Sequence, residues 1–402
     1  MKARATKGRT WLLIAILVGA AVEVGPLAAS RDASSWAQGV PQASTAPFLP
    51  VAAVNVSAST ADSRSPALAV SDKAGVHAVW EERNRVYHRS SLADGWLSIR
   101  SVAVGEQPSI ATDASGLAHV VFVNEFGGNY EIYYCRWNGS TWSLPRNVSN
   151  TSGVSSSPSL AIAPDGTLHV VWSDNTPGYP VIYHASWNGT YWLNEPIPHA
   201  LGGAPAVCTS GDGKIHVVWQ DRDTPEAPYE VYYSRWDGLA WSLPENLSDT
   251  FSQQSIIPNL FAGQSEVHVV WQEKVDGKYA IYYTRGRVGF WSVPERVSQN
   301  EAEAYLPSVT VNVHQTVCTG WDEGSQALYR QRAAGNPDGS ACAAVVSNTQ
   351  GVTDLQLAVD GRGQLHAVWA SRVGSDNWDV FYQKLSSELF LPVTSKRFSS
   401  GR

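Results

Sequence analysis

The chain has 402 residues, 43% of them hydrophobic and only 16% charged, with a formal net charge of −7. A disordered chain shows the reverse balance, so this one folds. No basic block follows the first ten residues, which excludes nucleic acid as a partner, since phosphate contacts need clustered Lys and Arg.

Residues 1–30 read as a signal peptide. Lys2, Arg4, Lys7 and Arg9 precede an apolar run from Trp11 to Val22, and small residues follow at Ala28, Ala29 and Ser30. A membrane span needs about 20 apolar residues, so the run is short for one. An uncleaved anchor is the alternative, and it is the one membrane contact expected. The mature protein is therefore expected to be secreted or held at the cell surface. Residues 31–49 read as a flexible leader, 50–395 as a repeat domain and 396–402 as a tail. Cys135, Cys208, Cys318 and Cys342 show no CxxC spacing, so neither a metal nor a redox cofactor is expected. Export permits disulfides. However, Cys318 and Cys342, the one local pair, are expected on non-adjacent strands and hence unbridged.

From residue 50 onward one pattern recurs seven times. A run of the type HxVW ends at Trp80, Phe122, Trp172, Trp219, Trp271, Trp321 and Trp369. An aromatic run follows each, as in EIYYCRW (131–137), VIYHASW (181–187), EVYYSRW (230–236) and AIYYTR (280–285). A third motif reads WSLPRNVS (142–149), WSLPENLS (241–248) and WSVPERVS (291–298), and a fourth opens each unit, as in PSIAT (108–112) and PSLAI (158–162). These are four short strand-forming runs separated by turn residues such as Pro164-Asp165-Gly166 and Asn138-Gly139. A lone four-stranded unit leaves both faces apolar, so the units must stack, and closing the ring removes the open ends. The predicted fold is all-β: a seven-bladed β-propeller of four-stranded antiparallel blades. VAAVNVS (51–57) resembles a fourth strand that precedes the first full unit. It is expected to complete the last blade, in competition with LFLPVTS (389–395).

The turns in SRWDGLAWS (234–242) and CRWNGSTWS (135–143) resemble the Asp-box of sialidase-like, BNR-repeat propellers, in degenerate form. That resemblance implies propeller architecture. It also implies, for a catalytic member, three arginines holding a substrate carboxylate, a Tyr nucleophile with a Glu partner, and an Asp acid. Arg83, Arg222 and Arg372 form the one plausible triad, but no Tyr–Glu pair is marked beside them.

Other recurrent residues admit two readings. His77, His119, His169, His216, His268 and His366 occupy one position in six blades, with Cys318 in the other. One His per blade does not converge on a single ion, so a buried hydrogen bond within each blade is expected. Glu82, Asp174, Asp221, Glu273 and Glu323 lie two residues past the motif aromatic. They are candidate ligand-binding carboxylates for a cation or sugar hydroxyls, and equally candidates for bonding the local turn. The pairs Trp137/Trp142, Trp187/Trp192 and Trp236/Trp241 either stack on sugars or fill the outer blade edge. Catalysis breaks symmetry, whereas a binder or scaffold keeps it. The leading expectation is thus a non-catalytic exported propeller that recognises an extracellular glycan or protein. An exo-glycosidase of sialidase type is the alternative, and a structural module of a surface assembly comes third.

Overall fold

The computed structural model describes residues 52–385 apart from positions 74, 93–94, 225, 251–252, 264, 299–301, 333–342, 348–350 and 375–376, with 343–347 described by backbone alone. The signal segment, the leader, the competing closing segment 389–395, the tail and Cys342 all lie outside the described residues.

The described residues form seven antiparallel sheets and contain no helix. Blade 1 comprises Ser63–Ser71, Gly75–Glu82 and Arg85–Leu92, with its outer edge split between Gly95–Trp96 and Arg100–Val104. The first strands of blades 2 to 7 are Glu106–Thr112, Ser155–Ile162, Gly203–Thr209, Ser255–Ala262, Ala304–Val311 and Val352–Val359. Each first strand neighbours the next, and the seventh returns to the first, so these strands form the inner ring. The ring is closed by Val54–Asn55, which pairs with Phe381 and Tyr382 as the outermost strand of blade 7.

The core lies between blades. Trp80, Phe122, Trp172, Trp219, Trp271, Trp321 and Trp369 are all at most 1% exposed. An aromatic side chain removes about 150–250 Å² from water, worth roughly 4–6 kcal/mol as an upper estimate. On the neighbouring strand Tyr87, Tyr133, Tyr183, Tyr232, Tyr282 and Phe381 pack on these rings at 5.6–6.3 Å. The turn tryptophans work at the periphery. Trp142, Trp192, Trp241, Trp291 and Trp96 each reach back to an aromatic of the preceding blade, namely His88, Tyr134, His184, Tyr233 and Tyr382. They fill the widening outer edge.

Each first strand carries a bulge where its register shifts. The bulged residues Ser65, Gln107, Ser157, Ala204, Ile257, Leu306 and Asp354 all have φ between 48° and 61°. Six of them precede a proline, which disfavours helical backbone at that position. Left-handed backbone costs an L-residue about 1–2 kcal/mol, and neighbouring blades offset it. The N–H groups of Gln107, Ile257, Leu306 and Asp354 donate to Glu81, Gln220, Gln272 and Asp322 of the preceding blade, at 2.8–2.9 Å.

Candidate functional site

Second and third strands are joined on the face where first strands begin and fourth strands end. Here the recurrent carboxylates part company. Asp174, Glu273 and Glu323 are 0%, 1% and 5% exposed, and each accepts the indole N–H of the Trp two residues earlier, at 3.0, 2.7 and 2.7 Å. Asp174 and Glu273 also accept from Ser155 and Ser255, which open their own blades. The donors are thus an indole and a hydroxyl rather than turn N–H groups alone, and these three carboxylates are turned inward. Glu82 and Asp221 remain part-exposed. Glu82 accepts from Ser63 at 3.4 Å and Asp221 from the Arg222 N–H at 2.7 Å, while burial raises the pKa of Asp221.

A second set of acids, Glu131, Glu230 and Asp379, opens the third strands of blades 2, 4 and 7. All are at most 9% exposed, and they accept from Ser149, Ser248 and Ser57 at the blade's outer strand. Thr151 joins Glu131 to Asp174 of the next blade, and Thr250 with Ser255 joins Glu230 to Glu273. The sequence reading missed this second set. Its signal was present in the E of EIYY and EVYY and the S of NVS and NLS.

The histidines lie at 2–7% exposure. In blades 1 and 3 their Nδ1 meets His88 or His184 at 3.0 and 3.1 Å; in blades 2, 4, 5 and 7 it meets the hydroxyl of Tyr134, Tyr233, Tyr283 or Tyr382 at 2.7–2.8 Å. Burial pulls His169, His216 and His268 down to about 4, so they are neutral cross-strand ties.

Arg83, Arg222 and Arg372 are all exposed on the hairpin face. The ring separates them. Arg83 and Arg372 occupy adjacent blades 1 and 7, and Arg222 stands three blades from both. Arg222 and Arg372 lie over local aromatic rings, Tyr229 at 4.9 Å and Trp378 at 5.6 Å.

That observation exposes a pattern. Tyr130, Tyr229, Tyr279 and Trp378 each immediately precede the third-strand motif, in NYEIYY (129–134), PYEVYY (228–233), KYAIYY (278–283) and NWDVFY (377–382). Lys274 stands over Tyr279 at 5.7 Å, and Arg64 adds a second guanidinium over Trp378 at 4.7 Å. Register sets two of these contacts, because Lys274 pairs with Tyr279 and Arg372 with Trp378 across the hairpin. Strand alternation then buries the next residue, Glu230, Ala280 or Asp379. The sequence reading missed these rings by starting the motif one residue late. Exposed Phe126, Tyr130 and Tyr179 extend the aromatic surface on blades 2 and 3.

Nearer the inner ring, Asp322 is pushed up to about 7 by burial and by Asp354, whose own pKa is raised by burial and by Glu81. Asp322 is 5% exposed and accepts from the backbone N–H groups of Asp354 and Leu355. It therefore occupies the same bulge-holding position as Gln220 and Gln272.

No family model matches this sequence, and no curated protein matches it. Solved structures do share its fold. A polysaccharide lyase of family PL25, an ulvan lyase, superposes with a TM-score of 0.58 at 11% identity over 84% of this chain and 96% of its own. The polysaccharide lyase Uly1 gives 0.55 at 14% identity over 87% and 96%. The α-L-arabinofuranosidase Arb93A of Fusarium graminearum gives 0.50 at 13% identity over 69% and 92%. The likeness is to β-propellers that act on glycans, and it is not specific to the sialidase-like, BNR-repeat class.

Proposed function

We propose that this chain is an exported, non-catalytic glycan-binding propeller whose hairpin face takes the carbohydrate. The observation that carries this reading is the cation–aromatic pair repeated on blades 4, 5 and 7. Each pair sets aromatic carbon beside N–H donors, the combination that a sugar's C–H face and hydroxyls require. Repetition around a ring adds avidity, because a second contact to one polymer is intramolecular. The glycan-active neighbours of this fold support the ligand class, and the basic and apolar N-terminal segment supports export. The sialidase alternative needs three arginines on one carboxylate, and their spread over blades 1, 4 and 7 weighs against it.

Affinity electrophoresis in gels containing polysaccharides, after a glycan-array screen, tests the reading. In the variant Tyr229→Ala/Tyr279→Ala/Trp378→Ala, retardation is expected to fall by about tenfold in affinity or more. Wild-type retardation by that variant, or an array without a single hit, overturns the proposed face or ligand. Accumulation of an unsaturated or reducing-end product in the wild-type incubation overturns the non-catalytic part.

A further inference from the structure

The opposite face carries a second feature, at the junction of blades 4 and 5. The turns there run between first and second strands and between third and fourth, the reverse of the hairpin face. Between them opens a polar groove of about 310 Å³ lined by Ser210, Lys214, Tyr233, Arg235, Glu266 and Arg287, among others. That volume sits at the lower end of the ~300–1,000 Å³ range of ligand sites, which suits one sugar ring.

Two of its cations depart from the repeat. Arg235 stands opposite His216, where blades 2 and 5 have Arg136 and Arg285 opposite His119 and His268. Those two are ion-paired, with Asp113 and Glu266 respectively. In blade 4 the position of Asp113 is taken by Ser210, and the nearby Asp212 pairs with Lys214 instead. The Arg235 side chain consequently has no hydrogen bond or ion pair among the described residues, and its Nε is buried without a partner. Arg287 stands where blades 2 and 4 place the turn residues Asn138 and Asp237. Its guanidinium lies over Phe290 at 5.5 Å, and it too has no ion pair among the described residues. An unpaired, part-buried guanidinium is costly to leave unsatisfied. Arg235 is of that kind, and with the exposed Arg287, a hydroxyl and a buried tyrosine beside it, it makes a fork for a planar anion.

We infer that this groove binds a single acidic sugar residue, with its carboxylate held between Arg235 and Arg287. That the carboxylate is carried on a sugar rests on the glycan reading above; the anion preference does not. The test is isothermal titration of the intact protein with galacturonate, galactose and inorganic sulfate. Galacturonate is expected to bind at least about tenfold more tightly than galactose, and Arg235→Gln and Arg287→Gln are each expected to weaken it by about tenfold. Arg287 is exposed, so its variant guards against a folding defect in Arg235→Gln. Arg235→Lys should give an intermediate loss, since it keeps the charge and loses the fork. Equal affinity for galactose, or wild-type affinity in both Gln variants, overturns the site. Sulfate competing as well as galacturonate overturns the sugar and leaves an anion site. The Tyr229/Tyr279/Trp378 triple variant is expected to titrate galacturonate normally, so failure of the hairpin face and failure of this groove are read separately.

Discussion

At the scale of single residues, the repeat is held by paired polar side chains in places where water cannot reach. A buried imidazole needs a partner, and the third strand supplies one at a fixed register, as His or Tyr. Blade 6 departs at the histidine end of the tie. Cys318 replaces the His, while Tyr329, opposite Gly320, keeps the Tyr position, and the next residue, Arg330, donates to the Val297 carbonyl at 3.1 Å. Cys318 is a free thiol, and burial pushes it up to about 12, which leaves it an inert packing group. Tyr283→Phe is expected to cost about 1–3 kcal/mol, because it strands His268 Nδ1 at 5% exposure. The double variant His268→Phe/Tyr283→Phe is expected to cost less than the two single changes summed. Urea unfolding of the three variants measures both quantities. The histidine role was legible because alternation and one-per-blade spacing already argued against convergence. The roles of Asp174, Glu273 and Glu323 were not, because only the fold brings an indole N–H to each carboxylate and a serine from the first strand to Asp174 and Glu273.

At the scale of the strand and blade, closure depends on a two-residue strand that comes first in the sequence and last in the ring. Two backbone pairs hold little by themselves. Asp379 reinforces them by accepting from Asn55 Nδ2 at 2.7 Å, Ser57 Oγ at 2.9 Å and the Ser59 N–H at 3.1 Å. Asp379→Ala is expected to lower stability by about 2–4 kcal/mol, since bonds to a charged acceptor are worth about 1.5–3 kcal/mol each and are not additive. A shifted urea midpoint measures this, and an unchanged midpoint would show that the ring closes without the clasp. Compensation also runs between blades. Leu355 stands where the other six first strands have proline, and Gly320 stands where the other second strands have valine. A Cβ at Gly320 would lie 2.9 Å from the Leu355 and Leu357 side chains. The small residue makes room for the large one.

At the scale of the whole molecule, the buried histidines act together on stability. His77, His169, His216 and His268 are pulled down to about 4, and His88 and His184 to about 3. The unfolded chain protonates these groups near pH 6.5, whereas the folded chain resists until about pH 4. Their contribution is thus complete above pH 6.5 and is lost as pH falls toward 4. Asp322, Asp221, Glu230 and Asp354, raised by burial, act in the opposite sense but are fewer. The urea midpoint is expected to rise between about pH 4.5 and about pH 7, and a flat profile would refute the neutral-histidine assignment. What the sequence alone determined is the architecture: seven copies of one four-strand pattern, none able to bury both faces alone, force a closed ring. It also placed the histidines and core aromatics, because their environment is set by strand period and repeat. The tertiary structure alone decided which residues meet across blades and across hairpins. The carboxylate clasps, the cation–aromatic pairs and the unpaired Arg235 all depend on registers and neighbours that no single repeat contains.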